Sequence, residues 1–169
     1  EILKQKTVDY INYCLDAAVD HGTGTAADLK NLGIDTCGKT GTTNSKNDRY
    51  FCGYTGYYTA AVWCGYEIPA EINLSGTDQR HPGARLWKKV MEPLHVGKEN
   101  IPLFNAEDMV EVTVCLDSGK LACDACFMDI RGIRRTETVL VYPEDAPTEY
   151  CDKHIVLDYC TECESVANE

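Results

Sequence analysis

Residues 33–43, Gly-Ile-Asp-Thr-Cys-Gly-Lys-Thr-Gly-Thr-Thr, fit two motifs whose chemistries are incompatible. Taken from Gly33 through Gly38, Lys39 and Thr40, they match a phosphate-binding loop, in which backbone amides cradle phosphates and the lysine reaches them. Taken as Lys39, Thr40 and Gly41, they match a strand-borne element that assists serine acyl transfer. A fixed positive charge on Lys39 would help move protons around a serine and attract a substrate carboxylate, which the hydroxyls of Thr40 and Thr42 could bind. Gly41 would let a second backbone come close, and a free strand amide would donate to a developing oxyanion.

The flanking sequence separates the two. A phosphate loop needs a buried strand before its first glycine and a helix opening on its last residues. Residues 26–32 instead spell a short helical turn, and residues 41–47, Gly-Thr-Thr-Asn-Ser-Lys-Asn, are turn formers. A second stretch that could touch a nucleotide, residues 139–145, places Pro143 where a central strand needs a donor. The acyl-transfer reading stands.

The second chemistry-bearing set is cysteine. Of ten cysteines, six lie beyond residue 110, including the pairs Cys123/Cys126 and Cys160/Cys163, with Cys115, Cys151 and His154 as nearby candidate ligands. Paired Cys-x-x-Cys elements and a histidine suit a tetrahedral zinc site, with Cys123, Cys126, Cys160, Cys163 and His154 as its ligand candidates, although 33 residues between the pairs exceed the usual ribbon spacing. The competing reading is disulfides, whose connectivity does not follow from sequence. Cys14, Cys37, Cys52 and Cys64 sit in apolar patterns and read as packing. Cys37 is two residues from Lys39 but has no base beside it, so it too reads as packing. His21, His81 and His95 follow or bracket helices and read as surface or capping groups.

The elements that must hold these residues are legible in outline. Val8, Ile11, Leu15 and either Ala18 or Val19 recur at helical spacing and Gly22 follows as a stop, which predicts a helix over residues 5–21. A short helix is expected over 25–33, then strands over 34–43, 49–54 and 57–66, joined by connections short enough for antiparallel hairpins. A helix over 82–95 carries Leu86, Val90 and Leu94 on one side with Trp87 and Met91 beside them, an apolar stripe expected to cover the sheet. Beyond it, strands are expected over 110–115 and 137–142 around a turn at 117–119. The fold class is α+β, an antiparallel sheet with packed helices followed by a small β-rich, cysteine-containing segment.

Several phrases extend the Lys-Thr-Gly element into a wider resemblance. Gly-Thr-Gly-Thr-Ala-Ala at 22–27, Gly-Lys-Thr-Gly-Thr-Thr-Asn at 38–44, Phe-Cys-Gly-Tyr-Thr at 51–55 and Tyr-Thr-Ala-Ala-Val-Trp-Cys-Gly-Tyr at 58–66 together resemble the class A penicillin-binding proteins. Asp-Ser-Gly-Lys-Leu-Ala at 117–122 and Pro-Thr-Glu-Tyr-Cys-Asp-Lys-His at 147–154 resemble the C-terminal extensions of Gram-positive members. The resemblance implies a β-lactamase/transpeptidase-like fold over residues 1–105, holding the C-terminal part of the transpeptidase domain, and an extension over 106–169. It implies an enzyme that crosslinks peptidoglycan stem peptides by serine acylation at D-Ala-D-Ala and is acylated by β-lactams. Lys39 takes a catalytic place in the hydrogen-bond network of that site, while Thr40, Gly41 and Thr42 line the substrate. It also implies an extracytoplasmic location at the bacterial membrane, with the anchor and a glycosyltransferase domain expected upstream of Glu1. Because the family works where thiols oxidise, disulfides become the preferred tail reading, with Cys126 to Cys151 the pairing that the resemblance suggests.

The sequence departs from the family pattern in one decisive place. No serine stands three residues before a lysine, so the nucleophile motif is absent, and Ser45-Lys46-Asn47 reads as a turn. The chain is therefore expected to be a fragment that supplies one wall of the site and is inactive by itself. Two rivals remain, a non-catalytic cell-wall or protein-interaction module and a fragment of a serine β-lactamase or D,D-carboxypeptidase. The net charge of −11, concentrated beyond residue 105 where 15 acidic groups face 5 basic ones, argues against nucleic acid as a partner. No cofactor is expected beyond the zinc alternative.

Overall fold

The computed structural model describes residues 2–72, 81–128 and 135–155, and divides into two compact units, Glu1–Asn105 and Ala106–Glu169. In the first unit, helix α1 (Gln5–Asp20) leads through two single 3-10 turns into strands β1 (Cys37–Thr42), β2 (Asp48–Tyr54) and β3 (Thr59–Gly65), and helix α2 (Pro82–His95) follows. The strands form one antiparallel sheet in the order β1-β2-β3, which among the described residues leaves one edge of β1 unpaired within the sheet. Gly38 to Thr40 therefore lie inside a strand, and no helix opens there. Between β1 and β2, Lys46 adopts φ 55° and the Thr43 hydroxyl binds both the amide and the carboxylate of Asp48, closing the turn expected at residues 45–47.

Alternation along the strands assigns the two faces. Residues paired across the sheet share a face, so Gly38, Thr40 and Thr42 lie with Gly53, Phe51 and Arg49, while Lys39 and Gly41 lie opposite Cys52 and Tyr50. The first face is closed by α2, and its centre is Phe51, fully buried edge-on against Trp87 with ring centroids 5.5 Å apart. Val19, Ala27, Leu29, Ile34, Ala84 and Met91 complete this core, and the Trp87 indole donates to the Ala60 carbonyl at 3.1 Å. Gly38 and Gly53 face each other beneath the Phe51 ring: a Cβ on either would come within 2.6 Å of that ring.

Each helix buries only part of the apolar stripe expected of it. In α2 the buried line is Ala84, Trp87, Met91 and His95, while Leu86, Val90 and Leu94 are about half exposed. Spacing of three and four residues fits both stripes. The sheet accepts the one carrying the largest ring, because Trp87 fills the space over Phe51. His95 is correspondingly not a surface residue: it is fully buried, its Nδ1 is 2.7 Å from the Met91 carbonyl, and its Nε2 is 2.8 Å from the Thr55 hydroxyl. Since a carbonyl only accepts, Nδ1 carries the proton and Nε2 accepts from Thr55, which satisfies a neutral imidazole.

In α1, Ile11 is exposed while Asp9, Asn12 and Val19 are buried. The polar pair is inside because it is fully engaged. Asp9 Oδ1 accepts from Gln5 and from the Asn105 amide, and Asn12 donates to the Leu103 carbonyl and accepts from the Tyr54 hydroxyl at 2.6 Å. Buried polar groups persist where they find such partners, and these bonds fasten the helix to β2 and to the segment at 102–105.

The second unit pairs β4 (Val110–Cys115) with β5 (Thr136–Val141) in antiparallel register, Val110 facing Val141 and Cys115 facing Thr136. Leu121 lies between β4 and the segment around Tyr150: its amide donates to the Glu149 carbonyl, and its own carbonyl accepts from the Cys151 amide at 2.8 Å. A single helical turn, α3 (Asp124–Phe127), carries Cys126 inward. This unit has a different kind of interior. Its described buried cluster consists of Cys115, Cys126 and Cys151, with Ala122 and Cys123 against it.

Candidate functional sites

At the free edge of β1, alternation sends Lys39 and Thr40 from opposite faces. The Lys39 chain nevertheless curls over the edge, bringing Nζ 3.1 Å from the Thr40 carbonyl and 3.5 Å from its hydroxyl. Thr40 Oγ1 is in turn 2.7 Å from Thr23 Oγ1. One ammonium and two hydroxyls thus converge on an exposed edge, a suitable surface for an anionic group. Thr23 was not singled out from sequence, although the phrase at residues 22–27 contains it. It reaches Thr40 because the chain turns sharply after α1, where a Cβ on Gly22 would collide with the Ala18 carbonyl at 2.8 Å.

Thr42 points elsewhere. Its hydroxyl accepts from the Arg49 guanidinium at 3.0 Å, and Thr40, Gly41 and Thr42 line a shallow pocket with Arg49, Tyr50 and residues 81–84 at the start of α2. Gly83 makes that approach close, since a Cβ there would lie 3.1 Å from the Phe51 amide nitrogen. Gly41 is opposite Tyr50, whose Cβ would be 3.2 Å from an added methyl. Lys39 and Thr40 are therefore brought together, and Thr40 also lines the adjoining pocket with Gly41 and Thr42.

Cys37, at the start of the same strand, is fully buried with its thiol 3.2 Å from the Asn12 carbonyl. Burial, reinforced by the charge of Asp16, pushes this thiol up to about 12, which makes it unreactive at neutral pH.

The tail residues converge more tightly. Cys115, Cys126, Cys151 and His154 place their ligand atoms within 4.8 Å of one another, and each of the three sulfurs is 3.4 Å from His154 Nδ1. The disulfide expected between Cys126 and Cys151 is not formed: both are free thiols, grouped with Cys115 and the imidazole. The pairing of Cys123 with Cys126 as joint ligands is also not what the fold presents, because Cys123 lies outside the foursome, 3.5 Å from the Cys126 sulfur. Cys160 and Cys163 lie outside the described residues. Sequence reasoning gave weight to the two regular Cys-x-x-Cys pairs. The turn after β4 and the Leu121 bridge instead gather three cysteines widely separated along the chain.

Comparison with known proteins places the chain in one family. Residues 106–156 match the family model "Penicillin-binding protein 1A, C-terminal domain". Penicillin-binding protein 1A of Clostridium perfringens is 34% identical over 140 residues, covering 80% of this chain and 16% of the relative. The Clostridium tetani protein of that name is 30% identical over 148 residues, covering 86% of this chain and 18% of the relative. The chain belongs to the penicillin-binding protein 1A family. Among solved structures, penicillin-binding protein 1A from Haemophilus influenzae shares the fold with a TM-score of 0.55 at 16% identity, over 83% of this chain and 20% of that one. The chain thus spans under a fifth of the length of these family members from Clostridium. Among the described residues, no helix is long and apolar enough to cross a membrane.

Proposed function

We propose that residues 1–105 are the C-terminal part of a serine D,D-transpeptidase domain that crosslinks peptidoglycan stem peptides at the outer face of the bacterial membrane. The observation that carries this reading is the Lys39 ammonium folded over the free edge of β1 onto Thr40, with Thr23 behind it. In this role Lys39 places positive charge beside the acylated serine and the substrate carboxylate. Thr40 relays hydrogen bonds, and the unpaired edge of β1 offers amides to the oxyanion. Thr42, held by Arg49, shapes the adjoining wall rather than the proton network.

The serine nucleophile is supplied by sequence that this chain does not contain, and β-lactams would acylate it there. The chain alone is therefore an inactive wall of the site. Intact-mass measurement after incubation with a β-lactam should show no adduct on the isolated chain, and a stable one-drug adduct would refute this division of labour. In the full-length protein, Lys39→Ala should slow β-lactam acylation at least ~100-fold, the scale on which a preorganised electrostatic contact acts. Acylation at the unchanged rate would remove Lys39 from the site.

A further inference from the structure

The buried cluster of the second unit is made of cysteine among its described residues, with Met109 and Ala125 as its other buried apolar residues. Three observations turn that cluster into a site. First, it brings three buried thiols and one half-buried imidazole to one point, a set that a single disulfide does not use up, since joining two of these sulfurs leaves the third thiol and the imidazole over. Second, its dimensions match a coordination shell. Metal–sulfur and metal–nitrogen bonds of about 2.3 and 2.0 Å at tetrahedral angles put neighbouring ligand atoms about 3.6 Å apart, and each sulfur is 3.4 Å from His154 Nδ1.

Third, the far side of the imidazole is prepared. His154 Nε2 faces the Asp117 carboxylate at 3.1 Å, and Asp117 is held by Arg135 at 3.2 Å. Asp117 Oδ2 is buried and has no hydrogen-bond partner among the described residues, so the imidazole is the polar group set against it. A carboxylate on one ring nitrogen places the proton there and leaves the other nitrogen as a lone pair for a metal. Asp117 is thus a positioning residue, two positions beyond Cys115, in the turn where Gly119 takes φ +72°.

We propose that Cys115, Cys126, Cys151 and His154 form a closed, structural Cys3His site for one zinc ion. Three thiolates and a neutral imidazole suit zinc among the available divalent ions, and four protein ligands leave no open position for catalysis. Binding transfers the three thiol protons to solvent, and no oxidation is involved. The ion joins the end of β4, the turn α3 and the segment at 151–154. Cys123 remains a neighbouring free thiol.

The test uses the whole chain, purified under reducing conditions, with Zn2+ and Co2+ as the probes. One equivalent of zinc per chain should be found by elemental analysis. The cobalt form should show the strong near-ultraviolet thiolate charge-transfer band and the visible bands of tetrahedral coordination. Cys115→Ser, Cys126→Ser, Cys151→Ser and His154→Ala should each weaken binding at least ~100-fold. Cys123→Ser and a Cys160→Ser/Cys163→Ser double variant should bind as the parent does, and His154→Cys should restore a tetrahedral cobalt spectrum with four thiolates. Asp117→Asn should weaken affinity ~10–100-fold with the tetrahedral spectrum retained, as expected for a group that orients a ligand. The proposal is overturned if the parent chain takes up no metal, if metal persists in Cys115→Ser, if binding is lost through Cys123 or the Cys160/Cys163 pair, or if unreduced protein carries a Cys126–Cys151 disulfide.

Discussion

The two units of this chain bury cysteine in opposite ways. In the first, Cys37 is a small hydrophobe with no other cysteine grouped with it: its thiol meets the Asn12 carbonyl and the Tyr54 side chain, its proton is held more firmly by burial, and six apolar residues around Phe51 and Trp87 complete the core. In the second, Cys115, Cys126 and Cys151 share one imidazole and are themselves the interior. A unit of this size rarely draws enough stability from apolar burial alone, and a metal or disulfide commonly makes up the difference. The same residue type is packing where the core is sufficient and a ligand set where it is not.

The largest way to break this contrast is to remove the metal. Structural zinc in small domains contributes apparent binding free energies of ~10–16 kcal/mol, more than a small domain's entire folding stability. Chelation of the reduced chain should therefore erase hydrogen-exchange protection at the amides of Leu121, Ala122 and Cys151, all donors in backbone bonds of the second unit. Amides of β2 should keep theirs. Equal loss in both units, or no loss in either, would show that the two interiors do not differ as described.

The matching blow to the first unit is Trp87→Ala. It removes the ring that covers Phe51 and the indole bond to Ala60, and truncations of this kind cost ~3–5 kcal/mol. Urea unfolding followed by exchange at β2 should report a loss of that size, with metal affinity unchanged. Gly38→Ala acts more gently on the same contact, because its methyl would sit 2.5 Å from the Phe51 ring and force it to move. Overpacking of this type costs ~1–3 kcal/mol, and a variant as stable as the parent would mean that the ring moves freely.

How much of this was legible in the sequence differs by unit for a physical reason. Strands β1 to β3, β4 and β5, and helices α1 and α2 follow from period and turn residues, which are local signals. Which helix face is buried does not, because Leu86/Val90/Leu94 and Trp87/Met91/His95 satisfy the same spacing and only the sheet beneath selects between them. Asp9 and Asn12 were hidden for a related reason: polar residues go inside when partners such as Tyr54 and Asn105 arrive from far along the chain. The contact between Lys39 and Thr40 joins neighbours of one motif, whereas that of Thr23 with Thr40 was not legible, since it depends on how the chain turns after α1. For the tail, the visible Cys-x-x-Cys spacing pointed to pairs, but long-range backbone bonds at Leu121 decide which sulfurs meet.

The smallest expected effect tests the helix assignment most directly. If the interior side of α2 is Trp87, Met91 and His95, then Val90, 53% exposed, contributes little to folding despite its apolar side chain. Val90→Gln replaces it with a better helix former at a position open to solvent, where substitutions fall within ~0.5 kcal/mol of neutral. Met91→Gln, one residue along, puts an amide into the core beside Phe51 and should lose several-fold more. A urea midpoint for Val90→Gln close to that of the parent, against a clearly lowered one for Met91→Gln, would fix the orientation of the helix. The reverse order would rotate it by about one residue, 100° at 3.6 residues per turn, and would return Leu86, Val90 and Leu94 to the sheet.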